Sequence, residues 1–115
     1  MSLAGKRAEF AYALSTVDGV KGHEYKPDVP RPGDAWPLLG ALDRAEATAF
    51  YVSWRVLVFL PQDERKASEW IDSHHESLVD AIEMNDVGFV DRLEPVALTS
   101  QAGDQLALQI SMRSE

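Results

Sequence analysis

The sequence predicts an α+β protein: two helices with a mostly antiparallel sheet of about five strands, in the order α-β-β-β-α-β-β. Three stretches carry that expectation. Ala47 to Leu60 is a long run rich in β-branched and aromatic residues, Asp63 to Met84 repeats its apolar residues at helical spacing, and Leu106 to Met112 alternates apolar with polar.

The elements follow in order. Leu3, Phe10, Leu14 and Val17 recur at helical spacing among Ala4, Ala8, Ala11 and Ala13, which makes Ser2 to Thr16 a helix stopped by Asp18-Gly19. Val20 to Lys26 reads as a short first strand. Pro27, Pro30 and Pro32 then stiffen a rigid loop through Asp34, because proline lacks an N–H and fixes φ. Trp36 to Leu42 reads as a second strand with Pro37 at an edge or a strand start, and Asp43 to Glu46 as a polar turn. Gly33 and Gly40 fit a turn and a strand bend.

The third strand, Ala47 to Leu60, places Phe50, Val52, Trp54, Val56, Val58 and Leu60 on one face. Tyr51, Ser53, Arg55, Leu57 and Phe59 fall on the other. Two apolar faces require cover on both sides, either within the chain or from a neighbouring copy. Asp63 can cap the second helix, although Lys66 stands where a capping box prefers Glu or Gln. Ala67, Trp70, Ile71, His74, Leu78, Val79 and Ile82 share its apolar side, with Glu69, Asp72, Ser73, Glu76, Asp80 and Glu83 opposite. Val87 to Thr99 is the fourth strand. It sets Val90, Val96 and Leu98 against Phe89 and Leu93, with Pro95 suggesting a bulge or an edge. Ser100 to Asp104 is a hairpin loop into the last strand. No repeat or low-complexity segment divides the chain, so residues 1–115 are expected to form one domain.

Composition excludes several function classes. Nineteen acidic against 11 basic side chains give a net charge of -8, unfavourable for general nucleic-acid binding, which needs Lys and Arg to displace counterions. Asp63 to Asp86 holds eight acids against Arg65 and Lys66, so that segment alone carries -6. The absence of cysteine rules out disulfides and thiolate metal sites. Lys6 and Arg7 are followed by no apolar stretch of the secretory kind, and Ala47 to Pro61 falls short of the roughly 20 residues that a spanning helix needs. A soluble intracellular protein with no membrane contact is the expectation.

Catalytic chemistry finds little support. His74 and His75 are adjacent, so on a helix they diverge by about 100 degrees and cannot chelate one ion together. His74 is expected to pack on the apolar side while His75 and the acids form a solvated face. No GxSxG, GxGxxG or P-loop pattern occurs. The expectation is no enzyme, no catalytic residue, no cofactor and no metal. Trp54 and Trp70 read as core. Trp36, held between Pro32 and Pro37, suits an interface anchor or a core cap, and Arg55 on an apolar strand face needs an acid from the fold or from the next subunit.

The run Tyr25-Lys-Pro-Asp-Val-Pro-Arg-Pro-Gly-Asp-Ala-Trp-Pro37, the strand ending Val58-Phe-Leu-Pro61 and the segment Glu69-Trp-Ile-Asp-Ser-His-His-Glu76 together resemble the tail terminator (tail completion) proteins of long-tailed bacteriophages, particularly of actinobacterial hosts. The likeness covers nearly the whole chain. It implies a structural virion protein whose protomers form a ring, commonly a homohexamer, on the tail tube at the head-proximal end of the tail, after assembly in the host cytoplasm. Such a ring stops tube polymerisation and offers the docking surface for the head-tail connector or stopper protein. Its partners would be further copies of itself, the tail tube protein and that connector, with DNA passing through the ring without specific binding. Under this reading Arg31, Pro32, Trp36, Tyr51 and Arg55 are the candidate subunit or partner interface. The alternatives are another neck component, such as a head-completion or connector protein, or a small dimeric ligand-binding or enzymatic α+β domain with a pocket between sheet and acidic helix.

Overall fold

A computed structural model describes residues 3–46, 49–101 and 103–114, and the side chains among them except at positions 44–46, 49–51, 100 and 114. The elements are α1 (Leu3–Ser15), β1 (Lys21–Gly22), β2 (Asp34–Glu46), β3 (Ala49–Phe59), α2 (Glu64–Met84), β4 (Phe89–Ser100) and β5 (Gly103–Ser114), an α+β order that matches the sequence expectation. They build one five-stranded sheet in the order β1-β2-β3-β5-β4, antiparallel except where β1 pairs with β2.

Several expected strands change length, and the loop expected over Ser100 to Asp104 narrows, since Ser100 pairs with Gly103 and Thr99 with Asp104. β1 is only Lys21–Gly22, not Val20 to Lys26, because residues 23–33 must carry the chain back to start a parallel neighbour. Asp43 to Glu46 are not a turn. They continue β2 and pair with β3 through Glu46 and Ala49, while Ala47 and Thr48 lie outside the described residues. Since β5 pairs with β3 only from Val52 onward, this hairpin overhangs the sheet and lengthens a molecule that measures 47 by 31 by 22 Å. The ladder shifts register between Leu39 and Ala41, which makes Gly40 the strand bend.

Alternation on β3 divides the interior. Trp54, Val56, Val58 and Leu60 pack under both helices with Phe10, Leu14, Leu78, Ile82, Leu108, Ile110 and Met112. Phe10 meets Trp54 edge to face at 5.3 Å, and Gly22 lets α1 approach closely, since a Cβ there would overlap the Ala11 carbonyl. The other face holds a second cluster of Trp36, Leu57 and Phe59, joined by half-buried Leu38, Val96 and Leu98.

β4 departs from its expected faces. A register shift between Val90 and Arg92 adds a residue on β4, so Val90 and Leu93 share the helix side while Val96 and Leu98 turn to the opposite side. The bulge sits there and not at Pro95. Proline is tolerated because β4 is an edge strand.

Caps and side-chain brackets fix α2. The Asp63 carboxylate accepts the Lys66 backbone N–H at 3.1 Å, so Lys66 contributes its amide and not its side chain. Asn85 closes the helix, and Asp86 takes the left-handed conformation (φ 55°) that reverses the chain. Gln62 extends the β3–β5 ladder with its side chain. Its amide nitrogen donates to the carbonyls of Leu60 (2.6 Å) and Leu106 (3.0 Å), while its oxygen accepts the Leu106 N–H at 2.9 Å.

Phe10 is fully buried, so Phe10→Ala is expected to cost about 3–5 kcal/mol, read as a fall in melting temperature. Trp54→Phe should cost less, because it also removes a buried indole N–H that has no acceptor among the described residues.

Candidate interaction surface

Both helices pack on one side of the sheet, leaving the opposite face without a helical layer. Strand pairing orders that face in rows. One row runs Leu38, Arg55, Ser111, Arg92, and the next runs Trp36, Leu57, Gln109, Glu94. At one end the face is apolar, with Ala107, fully buried, between Phe59 and Val96. At the other it is polar, with charges of both signs. The Arg113 guanidinium donates to both Asp91 carboxylate oxygens at 3.1 and 3.0 Å, Arg92 pairs with Glu94 at 3.2 Å, and Phe89 is 64% exposed beside them.

The residues singled out in the sequence divide among three environments. Arg55 is exposed on this face and has no ion pair or side-chain hydrogen bond among the described residues. Trp36 is 1% exposed, so it takes the core-cap role and is not a free anchor. The side chain of Tyr51 lies outside those described. Arg31 and Pro32 are exposed on the proline loop, away from the rows that hold Arg55.

That loop is latched down. His23 Nε2 donates to Asp34 Oδ1 at 3.0 Å, and the Arg31 N–H donates to Asp34 Oδ2 at 2.8 Å. Lys21 N–H donates to the Gly33 carbonyl, and Gly33 N–H in turn donates to Phe59 at the end of β3. Gly33 has φ +96°, and a Cβ there would strike the Gly19 carbonyl, so the close crossing requires glycine. An open depression of about 530 Å³ lies between this loop and β1, lined by Val20, Lys21, His23, Arg31, Pro32 and Asp34. Burial pushes the Asp34 carboxyl up, but the His23 hydrogen bond, the Arg31 N–H and the positive charges of His23 and Lys21 outweigh it and hold it below its ordinary value of 3.8. With both carboxylate oxygens committed to loop contacts, the pair acts as a latch.

The histidines of α2 behave as expected. His74 stacks on Trp70 at 4.0 Å and donates from Nδ1 to the Trp70 carbonyl, while His75 donates to Ile71 and stands half-exposed beside Glu76. Neither lines the depression. Among the described residues no group of three or more His, Asp or Glu is placed to hold a metal ion, and no helix is long and apolar enough to cross a membrane. No protein-family model matches the chain, and no curated protein matches it.

One organising residue had no distinguishing sequence signal. Arg7, on α1, donates to the carbonyls of Glu24 (3.2 Å) and Pro37 (3.1 Å) and lies over the rings of Tyr25 (4.6 Å) and Trp54 (5.5 Å). It joins helix, loop and sheet, and a lone basic residue in an alanine-rich helix does not announce that.

A carboxyl held below its ordinary value in the folded protein stabilises the fold fully above that value and ceases to as pH falls through the lower folded value. Asp34→Asn is therefore expected to lower the melting temperature at pH 7 and to flatten its decline below about pH 4, checked by calorimetry across that range.

Proposed function

We propose that this chain is a structural protein that works by self-association, forming a ring in the manner of a phage tail terminator. The observation that carries the reading is the helix-free sheet face. There half-buried Leu38 pairs with Arg55, a cation without a partner among the described residues, while half-buried Val96 and Leu98 lie toward the apolar end of the same face. A sheet face that has no helical layer and is exposed at its polar end supports contact with another protein. The proline loop, fastened at Asp34 and Gly33, keeps its exposed residues in fixed positions, which lowers the ordering cost of a contact.

The assignment to a tail terminator rests on the resemblance of the Tyr25 to Pro37 run, the strand end and the Glu69 to Glu76 segment. In that role the ring would cap the tail tube, stop its growth and receive the head connector. The reading also fits the engagement of His23 and Asp34 in loop structure, which leaves them no evident role in bond chemistry.

Light scattering of the purified chain should give a defined oligomer, and electron microscopy a ring with a central hole. Deletion of its gene should yield tails of uncontrolled length. A protein that remained monomeric at every concentration, with normal tails in its absence, would sink the proposal. Arg55→Ala is expected to lower the oligomer fraction while changing stability by less than about 0.5 kcal/mol, as for other exposed positions. Trp36→Ala, by contrast, is expected to cost about 3–5 kcal/mol of folding stability, measured by thermal melting.

A further inference from the structure

The depression beside the proline loop has no part in the self-association reading. Its volume of about 530 Å³ is that of a small-molecule site, and its walls are fixed before anything enters. Pro27, Pro30 and Pro32 restrict the loop backbone, the Asp34 carboxylate holds both His23 and the Arg31 N–H, and Gly33 is bonded to Lys21 and Phe59. No side chain rises from Gly19 or Gly33 in the lining, which leaves the space between the walls open.

Of the ionisable groups in that lining, Lys21, His23 and Arg31 are basic and only Asp34 is acidic. Asp34 is engaged within the loop: one carboxylate oxygen takes His23 Nε2 at 3.0 Å and the other the Arg31 N–H at 2.8 Å. Lys21 and Arg31 are exposed, and neither side chain has an ion pair or hydrogen bond among the described residues. Lys21 is near enough to Asp34 to be felt as charge without being bonded to it. Two cations against one carboxylate leave the lining positive even with a neutral imidazole, in a chain whose net charge is -8. Asp18, Glu24 and Asp28 on the flanking segments are exposed, and none of them lines the depression. The rest of the lining is apolar, from Val20, Pro27, Val29 and Pro32. Val29 is 78% exposed on a loop that is already fixed, so covering it gains apolar contact with little further ordering.

We infer that this depression binds a small organic acid, its carboxylate held by Lys21 and Arg31 and its apolar part laid on Val20, Val29 and the neighbouring prolines. The combination of groups selects that chemistry. A bare inorganic anion would use the cations and leave the apolar wall wet, while a neutral apolar molecule would cover the wall and gain nothing from the cations. A guanidinium presents parallel N–H donors to a carboxylate, and a lysine ammonium adds a rotatable donor. Polyanions are disfavoured, because Asp34 and the acidic chain around it repel a second negative charge. Since both cations stand in water at an open site, affinity of about millimolar strength is expected. A monomer can carry this site, so its test does not turn on whether copies associate.

The test titrates the isotope-labelled full chain with isocaproate and follows the backbone amide resonances by NMR. Saturable shifts are expected at Lys21, His23, Val29 and Gly33, with α2 unaffected. Isocaproamide has the same shape without the charge, and acetate has the charge with little apolar body. Each should bind at least about tenfold more weakly than isocaproate, and inorganic phosphate likewise. The double variant Lys21→Gln with Arg31→Gln should lose isocaproate by a similar factor at an unchanged melting temperature, since both positions are exposed. Val29→Ser should weaken isocaproate and leave acetate as it was. If the amide binds as well as the acid, if acetate or phosphate matches it, or if no saturable shift occurs around the loop, the inference is wrong. The comparison of acid with amide is made on the wild-type chain and decides the matter whatever the variants do.

Discussion

Strand β3 has hydrogen-bonded neighbours on both edges but helices on only one of its faces, and the remaining features of the molecule answer to that asymmetry. Its even-numbered residues, Trp54, Val56 and Val58, are covered by α1 and α2. The odd-numbered Leu57 and Phe59 have no helix and are instead enclosed by Trp36 and by side chains from β2 and β4. Two of the three tryptophans are thus assigned one to each face of one strand. Farther along β3 the second face has no such enclosure, and its residues are Arg55 and Ser53. The transition from apolar to charged on that face marks where the chain's own capacity to bury it ends.

The attachment of α1 illustrates the same economy. This helix is rich in alanine and would hold little structure alone, since a marginal helix in water depends on tertiary packing. Phe10 and Leu14 supply its apolar contacts, Gly22 permits close approach, and Arg7 ties it to the loop carbonyl of Glu24 and to Pro37 of β2. Pro37 suits that arrangement. It donates nothing to a strand neighbour, and past Ala35 β1 no longer pairs with β2. The guanidinium fills the place beside the edge and takes the carbonyl that would otherwise have no partner there.

Element order, α2 and β5 were legible because each rests on a strong periodic signal within a single stretch. The polar residues 43–46 resembled a turn because they show no apolar alternation, yet they pair with β3 beyond the reach of β5, so strand and turn look alike there in the sequence. The faces of β4 were misassigned for another reason: one extra residue near Asp91 inverts parity for everything before it, and nothing in the side chains marks a bulge. Arg55 stood out because a cation in an apolar run is conspicuous. That it shares a row with Arg92, and that both oppose the acids of α2, depends on strand pairing across 37 residues of sequence and could not be read along the chain.

Sheets with open edges associate readily through those edges, and here both are impaired. On β4 a bulge interrupts the ladder near Asp91 and Pro95 lacks a donor. On β2 the register shifts at Gly40 and again before Glu46 break the regular row of N–H and C=O groups that an incoming strand would need. Open-ended β-pairing is therefore disfavoured on both sides, because each edge loses part of the regular backbone row that a further strand would have to match.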